Sequence, residues 1–397
     1  MKRNYLIIIF LGFVTRIFMS ITNFLLPYVG GATDSFKFHY CAGLSAGYEI
    51  SSQYWRLYCP YFFDSTKIIE AFYVKNILSS VYLIFGHHVL IGNLFSCFVW
   101  LISAFLLVKI LIKINIVSKY ISYSLAFYSF VPSSIFYTSV ILREPMQLLA
   151  INLSMFALIY FFYDRKIKYL ILLLVSFFLI TILHRALFFF ILFLLLLFFI
   201  YLLIKSRLLG WIFLIPIIIV FYYIGAQLYV FFNFNDFFYD GFYKTVNSFR
   251  YHAAISAGQA GDVNYASRSQ YVLGSPNIKN IYDFLIIFIP KSLFQYFLEP
   301  IPYIRVLAVK DFLFFFENLT RFILVIFCFK NIFSTPKNAM LIFFIMFLSY
   351  FFIETMWSVG TVNWGTASRH HVVSYGLLAI VAFYIPKKTP IFDKKIR

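Results

Sequence analysis

The chain has 397 residues, of which 62% are hydrophobic and only 12% charged, with 55 Phe and 31 Tyr. A water-soluble domain carries about twice that charged fraction, so a soluble globular protein is excluded. Apolar runs of about 20 residues recur along the length and are continuous rather than alternating, which excludes a membrane β-barrel and predicts an all-α polytopic membrane protein.

In chain order, the apolar runs predict about ten transmembrane helices. The first covers 5–27, and its basic start with no small-residue cleavage site after it reads as an uncleaved span rather than a signal peptide. A long external segment, 28–88, follows. Spans are then expected over 89–112, 120–139, 146–163, 169–183, 186–204 and 211–231. A second large external segment, 232–311, precedes the last three spans at 312–330, 339–356 and 371–387. Within that segment, 281–303 is apolar but interrupted by Pro290, Lys291, Pro300 and Pro302, and is expected to be an interfacial or re-entrant helix. The whole of 1–397 reads as a single integral membrane domain with no convincing internal repeat.

The formal charge of +18 would suit a nucleic-acid partner, but its placement argues for none. Lys2 and Arg3; Lys109, Lys113 and Lys119; Arg165, Lys166 and Lys168; Lys205 and Arg207; Lys330 and Lys337; and Lys387 to Arg397 occupy alternate short connections. That is the positive-inside pattern, and it predicts a multi-pass protein of the cytoplasmic membrane with both termini in the cytoplasm. Of four cysteines, Cys97 and Cys328 fall in apolar runs as packing residues, whereas Cys41 and Cys59 share an external segment where a disulfide is open to them. No metal-ligand spacing is present and no cofactor is expected.

The remaining ionisable residues gather on the opposite, external side. Asp34 follows span 1 in Gly30-Gly31-Ala32-Thr33-Asp34-Ser35. Arg143 and Glu144 cap one external turn, His184 and Arg185 another, and Arg250 lies in the large external segment. Glu317 sits in an apolar run near the outer end of its span, and Arg369, His370 and His371 open the last one. Ionisable groups at membrane depth are costly and face a substrate or a water-filled cavity. Arginines on the outer side point to an anion there, because the guanidinium fork holds phosphate oxygens bidentately and stays charged in apolar surroundings. A lipid-linked sugar phosphate meets that demand, with Arg143, Glu144, His184, Arg185, Arg250, Glu317, Arg369 and His371 as substrate-binding residues. Asp34 or His370 would act as the base for an attacking sugar hydroxyl. Arg16, in the middle of span 1, is expected to pair with an acidic residue for structural reasons.

Thr33-Asp34-Ser35 through Ala42, after the first helix, resembles the polyprenyl-phosphate-dependent glycosyltransferases of the GT-C superfamily, as does Pro132 to Ser139 followed by Arg143-Glu144. Over most of its length the chain looks still more like Wzy-type O-antigen and capsule repeat-unit polymerases. The residues that carry this likeness are Ser139 to Glu144, Pro290 to Pro302 with its Phe297-Leu298-Glu299-Pro300-Ile301-Pro302, Glu317 and Asn363 to His370. The resemblance implies a bacterial inner-membrane enzyme that joins undecaprenyl-linked oligosaccharide donor and acceptor at the periplasmic face. It makes 28–88 and 232–311 periplasmic loops and a chain-length regulator a partner. Two alternatives stay open: a GT-C transferase using a polyprenyl-phosphate sugar, and a flippase or transporter for the same lipid-linked oligosaccharide.

Overall fold

The computed structural model describes residues 2–26, 33–49, 59, 71–184, 186–205, 283–301, 309–361 and 364–387. Among the described residues the chain forms thirteen α-helices and no strand, apart from an isolated bridge between Ile116 and Pro386. Among these residues six helical segments are long and apolar enough to cross a membrane: Arg3–Leu25, Val89–Lys113, Glu144–Asp164, Leu187–Ile204, Asp311–Ser334 and Ala339–Gly360. The count is below ten for identifiable reasons. The run at 211–231 lies outside the described residues. Ile167–Leu183 is apolar but only 17 residues long. The last helix, Trp364–Ala382, carries Arg369, His370 and His371 in its first half, which lowers its hydropathy.

The helices fall into two compact units, Met1–Ile191 with Ile323–Tyr350 and Arg369–Arg397, and Leu192–Phe322 with Phe351–Ser368. In the first unit, α1 (Arg3–Leu25) buries one stripe, Tyr5, Ile9, Gly12, Arg16, Ser20 and Asn23, at helical spacing. Its other faces expose Phe10 and Phe18 at 63% and 70%, as a lipid-facing surface requires. The segment 28–88 is not simply a loop. It contains α2 (Thr33–Ser45) and a π-helical turn, Tyr73–Leu78, that runs on into α3 (Ser79–Phe85). The helix α4 (Val89–Lys113) then packs antiparallel to α1.

The run expected as one span over 120–139 is two helices, α5 (Ser118–Phe130) and α6 (Pro132–Thr138). Pro132 has no N–H to continue the ladder and its ring excludes the preceding turn, so α5 stops and α6 restarts with Pro in its first turn. Arg16 explains how this break is tolerated in an apolar setting. Fully buried, it donates from Nε to Thr138 Oγ1 (2.7 Å) and from Nη2 to Ser134 Oγ (2.8 Å). Its Nη1 donates to the carbonyls of Ser129 (2.8 Å) and Gly12 (2.9 Å), and the guanidinium lies 3.5 Å from the Trp100 ring centroid. The expected acidic partner is replaced by hydroxyls, carbonyls and an aromatic face.

Beyond the break come α7 (Glu144–Asp164) and α8 (Ile167–Leu183), packed together, with α7 also against α4. Asn152 of α7 donates to Ser103 Oγ of α4 (2.9 Å) and Tyr128 OH of α5 (3.2 Å). The C-terminal helix α13 (Trp364–Ala382) joins this unit from Arg369 onward through Ser133–Tyr375 (2.8 Å) and Ser124 to the Ala379 carbonyl (2.8 Å). At one end of the unit Lys113 pairs with Asp164 (2.5 Å), Lys2 reaches Ser118 (2.9 Å), and Lys387 N–H donates to the Asn115 carbonyl (2.9 Å). Lys2, Lys113 and Lys387 therefore share an end of this unit. The other ends of α7 and α13 carry Glu144 and Arg369. Helix α7 has 21 residues, a rise of about 30 Å, comparable to a bilayer core.

The second unit includes most of α9 (Leu187–Lys205), a π-helical turn Asp283–Phe288 leading into α10 (Ile289–Leu298), and the start of α11 (Val309–Ser334). It also holds the end of α12 (Lys337–Gly360). The π turn lies just before Pro290, where the regular ladder loses a donor. Of the interfacial or re-entrant helix expected over 281–303, Asp283–Leu298 is helical, and 281, 282, 302 and 303 lie outside the described residues. Several polar residues of the second unit are buried: Gln295, Glu299, Glu317, Asn318, Arg321 and Glu354. Asn318 donates to the Glu299 carbonyl (2.5 Å) and accepts from Arg321 Nη2 (2.8 Å), while the Arg321 guanidinium lies 5.8 Å from the Phe297 ring.

Candidate functional site

Arg369 is the centre of a charge cluster in the first unit. Its Nη1 donates to Asp34 Oδ2 (2.7 Å), and its Nε lies 2.8 Å from Glu144 Oε1 as an ion pair without hydrogen-bond alignment. Lys37, one turn along α2, stands 3.7 Å from Asp34 Oδ1. Glu144 is buried and its Oε2 has no hydrogen-bond partner. Arg143 completes the group. Its guanidinium lies 5.9 Å from the Phe38 ring, it makes no ion pair among the described residues, and its Nε is buried without a partner. Among the described residues two carboxylates thus face three cations, a local excess of one positive charge.

Each member is placed by a local feature. Glu144 and Arg143 stand where α7 begins, with Pro145 in the first turn to pre-set the helix. A Cβ on Gly92 would come within 2.7 Å of Ile141, so that glycine is what lets the chain leading to Arg143 lie directly on α4. Asp34 occupies the first turn of α2, where a carboxylate suits the helix N-terminus. The helix α2 is fixed by its other side. His39 Nδ1 meets Tyr82 OH (2.7 Å), its ring stacks on His87 (centroids 4.1 Å apart), and Cys41 is disulfide-bonded to Cys59 with Cα atoms 5.3 Å apart. Gly43 leaves room for the His87 ring, which any Cβ there would strike. Burial, then the charges of His87 and His88, push His39 down to about 3, so the stack is neutral.

The electrostatics keep the cluster ionised. Burial alone would raise the Asp34 carboxyl, but the charge and hydrogen bond of Arg369, with Lys37 and Arg143 behind, outweigh it and hold the group below its ordinary value. His184 caps the end of α8, and its Nδ1 accepts from the Ala186 N–H (3.2 Å). Burial, then the nearby charges of Arg143 and Arg369, hold it well below the ordinary imidazole value, so it is neutral at pH 7. His370 lies within electrostatic reach of Arg369, His184, His371 and Arg143. His371 is fully buried.

Of the residues singled out in the sequence, Asp34, Arg143, Glu144, His184, Arg369, His370 and His371 come together in one unit. Glu317 belongs to the second unit, where it is buried one helical turn before Arg321. Arg185 and Arg250 lie outside the described residues. Arg321 is missing from the sequence reading, although the Glu-to-Arg spacing of four inside an apolar run is a visible signal. Among the described residues no group of His, Cys, Asp and Glu is arranged to hold a metal ion. No protein-family model, curated protein sequence or solved structure matches the chain.

Proposed function

We propose that this protein is a glycosyltransferase of the bacterial inner membrane that uses an undecaprenyl-linked glycan at the periplasmic face, most specifically a repeat-unit polymerase. The observation that carries the reading is the Asp34–Arg369–Glu144 arrangement with Arg143 beside it, which makes no ion pair among the described residues. It is a partly buried site, net positive among the described residues, at the helix ends opposite the basic residues Lys2, Lys113 and Lys387. The basic end would face the cytoplasm and the cluster the periplasm. The Cys41–Cys59 disulfide beside the cluster supports the same orientation, since disulfides persist in oxidising compartments.

In the proposed reaction the acceptor hydroxyl oxygen attacks the anomeric carbon of the donor. The carbon–oxygen bond to the carrier phosphate breaks, its electron pair stays on the phosphate, and the hydroxyl proton passes to a base. Arg143 and Arg369 would stabilise charge on the departing phosphate. Paired with Arg369, Asp34 is a weak base. A phosphate that draws the guanidinium away would free its carboxylate to accept the proton, with His370 the other candidate. One observation also favours a GT-C transferase with a monophosphate donor: Asp34 sits in the first turn of a short helix directly after α1.

Deleting the gene and resolving surface polysaccharide on a gel tests the assignment. A single repeat unit capping the core supports the polymerase, and a truncated unit supports the single-sugar transferase. Unchanged polymer refutes both.

A further inference from the structure

Next to the ion cluster lies a layer of buried polar groups with nothing to bond. The packing of α1 on α4 places it. Arg16 stacks on Trp100, Ser20 Oγ is 3.1 Å from Cys97 Sγ, and Phe24 meets His88 with ring centroids 5.0 Å apart. Asn23 lies one turn beyond Ser20 on α1 and Asn93 one turn before Cys97 on α4, so both fall between the last two contacts. Ser20 also donates to the Ser139 carbonyl (2.8 Å), so the strip from Ser139 to Glu144 runs along the same rungs. Gln147 lies one turn into α7 from Arg143, on the same face. The Tyr73 hydroxyl is beside Ser96, one turn along α4 from Asn93, and within electrostatic reach of Glu144 and Arg143.

Asn23, Asn93, Gln147 and Tyr73 are 7%, 2%, 1% and 1% exposed. Among the described residues, both polar atoms of Asn23 and of Gln147, the Oδ1 of Asn93 and the Glu144 Oε2 lack hydrogen-bond partners. One such group is ordinary in a protein interior, but several on α4 and on the two helices packed against it, α1 and α7, are an unmet demand for a ligand. The chemistry of the set narrows that ligand. Carboxamides and a phenol offer donors and acceptors side by side but no charge, and Glu144 adds an acceptor that repels phosphate. Adjacent sugar hydroxyls, each able to donate one bond and accept two, satisfy such a set.

We propose that Asn23, Asn93, Gln147 and Tyr73, with the free oxygen of Glu144, form a sugar-hydroxyl subsite adjoining the cationic cluster. The inference rests on reading that cluster as a phosphate site. The lipid-linked substrate then divides along its own length, its phosphate on Arg143 and Arg369 and its first sugar residues on the amide layer.

The test uses the full-length protein purified in a detergent without a sugar headgroup. Octyl glucoside, octyl galactoside and octyl N-acetylglucosaminide are titrated by ligand-observed NMR, and inorganic pyrophosphate is titrated separately by calorimetry. The wild type is expected to bind at least one glycoside and pyrophosphate. Asn93→Leu and Gln147→Met should each weaken the glycoside about tenfold, as loss of a desolvated hydrogen-bond pair does, with pyrophosphate affinity unchanged. Because each removes an unbonded polar group, the ligand-free variants should unfold no earlier than wild type. Glycoside binding that survives both substitutions overturns the proposal and leaves the layer to water. Pyrophosphate binding without any glycoside also overturns it, while sparing the phosphate site. Glycoside binding without pyrophosphate refutes the phosphate reading and with it the proposed division of the substrate.

Discussion

Replacing Arg16 by Met keeps the length and packing of the side chain while removing its donors. Three bonds to other segments disappear, to Thr138 Oγ1, Ser134 Oγ and the Ser129 carbonyl, together with the stack on Trp100. A hydrogen bond to a charged group contributes about 1.5–3 kcal/mol in soluble proteins, and interhelical bonds in membranes average nearer 0.6 kcal/mol. Removing a buried charge offsets part of the loss, because its desolvation penalty goes with it. The net cost should be about 3 kcal/mol, roughly a hundredfold in the unfolding equilibrium. Reversible unfolding in mixed micelles measures it directly. Arg16→Lys should recover less than half, since one ammonium cannot reproduce a fork aimed at three acceptors. An Arg16→Met protein that unfolds within about 0.5 kcal/mol of wild type, the range of a neutral surface change, would refute the clamp. One that folds normally but no longer binds anions would move Arg16 into the substrate site.

Arg369→Ala should be costly in a different way, by about 3–5 kcal/mol, because it strands the buried Glu144 carboxylate. Adding Glu144→Gln should restore most of that stability without restoring pyrophosphate binding; full recovery of both would rule out Arg369 as a phosphate ligand. For pH, the depressed His184 value means that below the ordinary imidazole range the unfolded chain takes up a proton that the fold refuses. Stability should therefore fall from pH 7 towards 5, and His184→Gln should flatten that slope. The depressed Asp34 value contributes stability above the ordinary carboxylate range, lost only in stronger acid as the folded group itself protonates. Maleimide counting after non-reducing denaturation should find two free thiols, Cys97 and Cys328, and four would exclude the Cys41–Cys59 disulfide.

What was legible in the sequence was charge in the wrong place. Asp34, Arg143, Glu144, His184 and Arg369 stand out because ionisable groups at helix ends in so apolar a chain need a reason. Their pairing was not legible: Asp34 and Arg369 are 335 residues apart and meet only in the folded chain. The split at Pro132 was signalled by the proline but masked by apolar character that continues through it. Arg16 misleads a charge-based reading, which looks for an acid where hydroxyls and carbonyls suffice. Asn23, Asn93 and Gln147 escaped notice because an uncharged amide in an apolar run carries no electrostatic signal, although burying it unbonded is a real cost. The helix α2 lay hidden in a segment whose polar residues favour a loop.

The central claim is that the cluster around Arg369 holds a lipid-linked phosphate, and Arg143 offers the cleanest measurement of it. Arg143 makes no ion pair among the described residues, so its removal strands no carboxylate. Titration of geranylgeranyl pyrophosphate into wild type and Arg143→Ala compares the two by calorimetry. Loss of one charge-assisted contact predicts at least a tenfold weaker affinity with an unchanged unfolding profile. Equal affinity in the two proteins would contradict the account.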